Sequence, residues 1–335
     1  MISIIPGSPS EPIGCFTVGG QVRLAQLRIN DGVSIRALAS EPIQGDSDAC
    51  ASNTEHAIRS AIEQGDFQGN RVVLGAGAGM TSFRRMLLAP MPEDELAEAV
   101  RWQMTKELGI DPDRSIIDYH DVGEITESGK RRREVIGIAA SCQDIRALLG
   151  PVQAAGLEVT AIDTGIGALS RCVSSQGADD SCLCINLRTT SPMILVAQGG
   201  EPRFVRAISA RNLPLSVRAS ALGDASPCLE EEMGQLVRSL AAEINRCAYS
   251  LSESHGGAFF PKAGCILHRG GFEDRLVSAL SKQTEVGFIP VQDAAISPIR
   301  PLLDAIPEGE SASDWIGPIG LAMYGVEDAL TGAVA

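Results

Sequence analysis

Three short apolar-rich stretches open the chain, Gly14–Val18, Val22–Ile29 and Val33–Ser40, each broken by polar residues at the spacing of a half-buried strand. A helix is predicted next, over Thr54–Gln64. The same order returns later, with strands at Leu183–Arg188, Met193–Gln198 and Arg203–Ile208 and a helix over Leu229–Glu253. That helix starts on Glu230, Glu231 and Glu232, which suit the positive end of a helix dipole. Met233, Leu236, Val237, Leu240, Ile244, Ala248 and Leu251 then recur at spacings of three and four, as one buried stripe. A strand at Cys265–His268, a helix from Phe272 to Lys282, a strand at Val286–Val291, a Pro-rich loop from Ser297 to Pro307 and a closing helix near Trp315–Tyr324 complete the second half, with Pro318 blurring the start of that last helix. The glycine turns are not equivalent: Gly19-Gly20 follows the first strand, whereas Gly199-Gly200 joins the second and third strands of the repeat. The duplication therefore rests on the order of elements.

Between the halves lies material that a duplication does not require. Ser82–Ala89 reads as a strand, and Met91-Pro92-Glu93-Asp94-Glu95 opens a helix with proline and acids in its first turn. Leu96, Val100, Met104 and Leu108 form its core stripe, and Gly109 ends it. Ile116–Val122 and Glu134–Ala140 predict a hairpin turning at Ser128-Gly129. Ser141, with Asp144 three residues on, caps a further helix carrying Ile145, Leu148, Leu149 and Val152, where Gly150-Pro151 predicts a kink.

Composition narrows the function. With 28 Lys and Arg against 42 Asp and Glu, a net charge of −14 disfavours tracking nucleic-acid phosphates or an anionic leaflet. No run of about 18 apolar residues exists to span a bilayer, and Met1 to Pro12 lacks the basic start and apolar core of a signal peptide. Nine cysteines without a CxxC pair, two of them (Cys182 and Cys184) in an apolar strand, predict buried thiols in a reduced, cytoplasmic protein and no metal site. Gly75-Ala76-Gly77-Ala78-Gly79 lacks the GxGxxG spacing and precedes a strand-like Ser82-Phe83-Arg84-Arg85, so it reads as a flexible junction into the insert.

Two facing strand-strand-strand-helix halves make a cleft of the actin and sugar-kinase type. Within that frame the stretch MPEDELAEAVRWQMTKELGIDPDRSIIDYHDVG, the later VQAAGLEVTAID and the helix with RGGFEDRL resemble the type IV pilus assembly PilM family, relatives of the division protein FtsA. The resemblance covers about residues 13–325. It implies an α/β, actin-like (ribonuclease H-like) duplicated two-lobe fold with a small strand-helix-strand-strand insert. Residues 13–79 and 157–180 would form the first lobe, 80–156 the insert and 181–326 the second lobe, with 1–12 and 327–335 as tails. It further implies a cytoplasmic scaffold of a pilus or type II secretion-like platform, held at the inner membrane by the cytoplasmic tail of a PilN-like protein.

Carried over residue by residue, the nucleotide positions fall on Thr17 and Gly19-Gly20, on Asn186, Arg188, Thr189 and Thr190, on Gly270-Gly271, and on Asp163. Both phosphate-loop carboxylates of the family are replaced, by Thr17 and Asn186. Magnesium held against several phosphate charges needs carboxylates, so no catalytic residue and no cofactor is expected, and ATP with Mg²⁺ would bind weakly; Arg188 either offsets a phosphate or faces solvent. An ATP-responsive switch or small-molecule kinase of the same fold is the alternative, and self-association is left open. Trp102 lies off the Leu96–Leu108 stripe, so it either packs between the insert and the main lobe or waits for a partner peptide, whose acidic or backbone groups Arg101, Arg84 and Arg85 would meet.

Overall fold

The computed structural model describes residues 11–29, 33–44, 50–77, 79–127, 129–173, 181–187, 191–221, 230–255, 260–268, 273–291, 300–308 and 310–325. Strands β1 (Ile13–Val18), β2 (Gln21–Ile29) and β3 (Val33–Pro42) form an antiparallel meander, and α1 (Cys50–Gln64) leads into β4 (Arg71–Ala76). An insert follows, made of β5 (Thr81–Leu88), α2 (Glu93–Leu108), β6 (Ser115–Glu127) and β7 (Lys130–Ser141). The chain returns through α3 (Cys142–Ala154) to β8 (Glu158–Thr164) and crosses over along α4 (Gly165–Val173). The second half holds β9 (Ser181–Asn186), β10 (Met193–Gln198), β11 (Glu201–Ala207), α5 (Leu215–Ala221), α6 (Glu230–His255), β12 (Ala263–Leu267), α7 (Glu273–Gln283) and β13 (Gly287–Pro290), and α8 (Arg300–Leu303) and α9 (Ala312–Ala322) close it.

The two large sheets have the same order, β3-β2-β1-β4-β8 and β11-β10-β9-β12-β13, so the duplication is real at the level of strand connection. In each, the middle strand pairs antiparallel with the second strand of its meander and parallel with the strand that follows a helix. Gly19 and Gly20 (φ +59° and +72°) and Gly199 and Gly200 (φ +60° and +84°) make two-residue hairpin turns that only glycine enters freely, one between β1 and β2 and the other between β10 and β11.

Helices α1 and α3 cover one face of the first sheet. Ile58 and Ala61 meet Ile13, Leu24 and Leu74, and Val152 joins them, so α3 packs on the first sheet and the compact insert is β5-α2-β6-β7. The helix runs through Pro151 to Ala154; Ser141 caps it, its hydroxyl accepting from the Gln143 and Asp144 amides at 3.1 and 3.4 Å. Helices α6 and α7 cover the second sheet in the same way. The predicted α6 stripe is buried except that Cys247 takes the place of Ala248. In the insert, Leu96, Val100 and Met104 of α2 pack on Met86, Leu88 and Val135, each apolar side chain worth roughly 2 kcal/mol.

On their other faces the two sheets share one apolar core through α4 and α9, with Ala25 and Leu27 on one side, Leu169, Cys172, Trp315 and Ile319 between, and Cys184, Leu195 and Val205 beyond. Helix α9 starts three residues earlier than the sequence suggests and continues through Pro318. It can lie this close because Gly14 and Gly320 lack a Cβ: one at Gly14 would stand 2.0 Å from the Pro318 carbonyl oxygen, and one at Gly320 would stand 2.1 Å from that of Ala168. Cys182 and Cys184 are buried as thiols; Cys182 is held protonated by its contact with Cys265 and by burial.

Candidate functional site

The described nucleotide candidates lie at or next to strand ends, on β1, β8 and β9. Gly19 and Gly20 are the exposed tip of the β1–β2 hairpin, and Thr17 is half-buried at the end of β1. Asn186 ends β9, buried, in register with Leu267 of the neighbouring parallel strand. Arg188, Thr189, Thr190, Gly270 and Gly271 lie outside the described residues. Downstream of the glycine pair, a cavity of about 540 Å³ opens between α6 and α7, lined by Glu230 and Met233 on one side and Arg275, Ser278 and Lys282 on the other. Arg275 and Glu230 form an ion pair there.

Asp163 stands at the end of β8, where one oxygen accepts the Thr164 amide at 2.6 Å. The other is paired with the Arg171 guanidinium, one turn and a half into α4. Arg171 also donates through Nε to the Gly320 carbonyl at 2.8 Å and stacks over the Tyr324 ring at 5.3 Å. A Cβ at Gly167 would come within 2.6 Å of the carboxylate, so glycine leaves it room. The one cleft carboxylate in the candidate set is thus neutralised by an arginine that ties α4 to α9. Thr17 and Asn186 carry no charge, and no group of three metal-ligating side chains occurs among the described residues.

Strand alternation divides the partner candidates. Arg84 faces α2, donating from Nε to Glu107 at 2.6 Å. Burial alone would raise the Glu107 carboxyl, but the bonds from Gln103 and Arg84 outweigh it and hold the group below its ordinary value. On α2 itself Trp102 is 60% exposed, and the Lys106 ammonium lies 4.7 Å from its ring. Arg101 turns to the following loop, donating to the Pro112 carbonyl at 2.8 Å and lying 3.6 Å from Asp113. Arg85 points the other way, to the second lobe: it pairs with the fully buried Glu134, donates to Ser250 Oγ of α6 at 3.2 Å and lies 5.5 Å from the Phe204 ring of β11. Arg84 is thus held by α2 through Glu107, Arg101 by the loop after it, and Trp102 is exposed on α2, whereas Arg85 belongs to a different interface. Sequence reasoning missed Arg171 and Glu134: Arg171 is the one charge in its helix, which is the signal of a buried partner, whereas Glu134 follows the basic run Lys130–Arg133 and gives no such signal.

No family model matches this chain, and no curated protein matches it. Among solved structures, a chain of the PilM–PilN type IV pilus biogenesis complex is similar over 98% of this chain and 98% of its own, at 19% identity and a TM-score of 0.63. The cytoplasmic domain of EpsL, an inner-membrane component of the type II secretion system of Vibrio cholerae, is similar over 82% of this chain and 94% of its own, at 11% identity and a TM-score of 0.44. The ethanolamine utilization protein EutJ from Carboxydothermus hydrogenoformans is similar over 96% and 92%, at 12% identity and a TM-score of 0.44. The first likeness shows the fold. It is actin-like, as the resemblance in the sequence implies.

Proposed function

We propose that this chain is a cytoplasmic, PilM-like scaffold of a type IV pilus or type II secretion-like inner-membrane platform. It takes the cytoplasmic tail of a PilN-like membrane protein on the α2 side of its insert and does not turn over ATP efficiently. The observation that carries this reading is a fold likeness to the PilM–PilN complex that extends over 98% of each chain, insert included. The pairing of Asp163 with Arg171 supports the second part, since it removes a carboxylate from the cleft. Among the described residues no helix is long and apolar enough to cross a membrane, so attachment through a partner is the route this scaffold would use.

Trp102 anchors the tail, with Arg101 next to it in sequence and Arg84 on the strand that α2 covers, because Trp and Arg are the residue types enriched in interface hot spots and Trp102 is exposed. The test is capture of synthetic cytoplasmic tails from membrane proteins encoded beside this chain, with Trp102→Ala as the variant. Binding by the wild type is expected, with a loss of about 2 kcal/mol in the variant and an unchanged thermal melt. A wild type that captures no such tail refutes the scaffold, and a variant that binds normally removes Trp102 from the site.

A further inference from the structure

Helix α2 has two faces. Leu96, Val100 and Met104 bury one against β5 and β7, and at about 100° per residue Trp102 stands almost opposite them. Glu95, Glu98 and Lys106 fall within about 40° of Trp102, so the four side chains make one outward row along the helix. All four are exposed. The row is electrically uneven. Lys106 closes its carboxyl end, with the ammonium 4.7 Å from the Trp102 ring, whereas Glu95 and Glu98 occupy its amino end. Arg101 is three residues from Glu98 and could reach it on a helix, yet it turns to the Pro112 carbonyl and Asp113 instead. Neither glutamate carboxylate has a hydrogen bond or an ion pair with another described residue.

Two bare carboxylates beside an exposed aromatic restrict what can lie on this row. A chain with a net charge of −14 repels an acidic ligand. The cytoplasmic tail of a membrane protein has the opposite bias, because Lys and Arg gather within about 20 residues of the membrane-spanning segment. At about 1.5 Å per helical residue, Glu98 lies about 6 Å and Glu95 about 10 Å from Trp102 along the axis. An extended peptide advances about 3.4 Å per residue, so about two to three residues of tail cover that distance.

We infer that the tail lies along this outer row in one direction. Its membrane-proximal Lys or Arg meets Glu95 and Glu98, and an apolar residue about two to three positions farther from the membrane sits on Trp102. The amino end of α2 then points toward the membrane. Lys106 disfavours the same tail laid in reverse, because its ammonium would meet the basic residues. The direction of the tail rests on the scaffold proposed above, and adds to it the charge order of the partner.

The test uses the full chain and the same synthetic tails, with affinity read by fluorescence anisotropy. Glu95→Lys with Glu98→Lys should weaken a captured tail about tenfold. A tail whose membrane-proximal Lys and Arg are changed to Glu should bind that variant more tightly than it binds the wild type. A tail synthesised in reverse order should bind the wild type about tenfold more weakly. Lysine in the first turns opposes the helix dipole, so Glu95→Gln with Glu98→Gln is the second variant, expected to lose about threefold in affinity with an unchanged melt. Equal capture by the wild type and both variants, equal binding of the reversed tail, or capture of a tail without membrane-proximal Lys or Arg overturns the charge order and leaves the scaffold standing. A wild type that captures no tail refutes the scaffold, and the direction of the tail falls with it.

Discussion

Arg171→Met tests whether the cleft carboxylate is consumed by the fold. The arginine side chain is 10% exposed and that of Asp163 13%, so water screens the pair little. Methionine keeps most of the aliphatic packing but leaves Asp163 as an uncompensated buried charge, which costs roughly 3–5 kcal/mol. It also strips the donor from the Gly320 carbonyl, and an orphaned buried acceptor costs about 1–3 kcal/mol. The carboxylate keeps its Thr164 amide, and α9 can shift against α4, so the lower ends apply and a loss of about 4 kcal/mol is expected. At roughly 2–4 °C per kcal/mol for a chain of this size or somewhat smaller, the melt should fall by about 10 °C. Trp315, fully buried in the same joint, reports the transition by fluorescence, and denaturant titration gives the free energy. Adding Asp163→Asn removes the orphan charge and should restore about half of the loss, a coupling that a double-mutant cycle isolates. A single variant within 1 kcal/mol of wild type would show that Asp163 is solvated or bound elsewhere, and the argument for a neutralised cleft would fail with it.

Burial holds the His120 imidazole below its usual 6.5; Glu201 and Asp121 oppose the shift, and Arg203 adds to it. The unfolded chain therefore takes up the proton first as pH falls. Stability should be lost from about pH 6.5 down to the lowered folded value and be insensitive to this group above it. Denaturant melts of His120→Asn between pH 8 and 5 should be flatter in that window, and an unchanged slope would assign the acid sensitivity to other groups. In the cleft, Thr17→Asp with Asn186→Asp should convert a negligible Mg²⁺-ATP shift in melting temperature into a measurable one if charge alone is lacking. A wild-type shift of several degrees at millimolar nucleotide would instead favour the ATP-responsive alternative.

The fold was legible where a local pattern and a global one agree. The α2 stripe and the Ser141 cap each follow from residues within one or two turns, and the repeated order of strands and helix along the chain needs nothing beyond apolar runs. Helix α4 was not foreseen. Its nine residues follow a strand without a break, and Gly165 and Gly167 argue against a helix, yet packing between the sheets overrides that weak propensity. The separation of Arg84 from Arg85 was written in the sequence, since neighbours on a strand face opposite ways. What the sequence could not show is what each face meets, because Glu107 is 23 residues from Arg84 and Ser250 is 165 from Arg85. The same limit hid the partner of Asp163: an aspartate ending a strand reads as a ligand until Arg171, on a helix without a sequence signal, is placed against it. Charges in this protein are spent on joints between elements, and a joint is the one feature that neither periodicity nor motif spacing encodes.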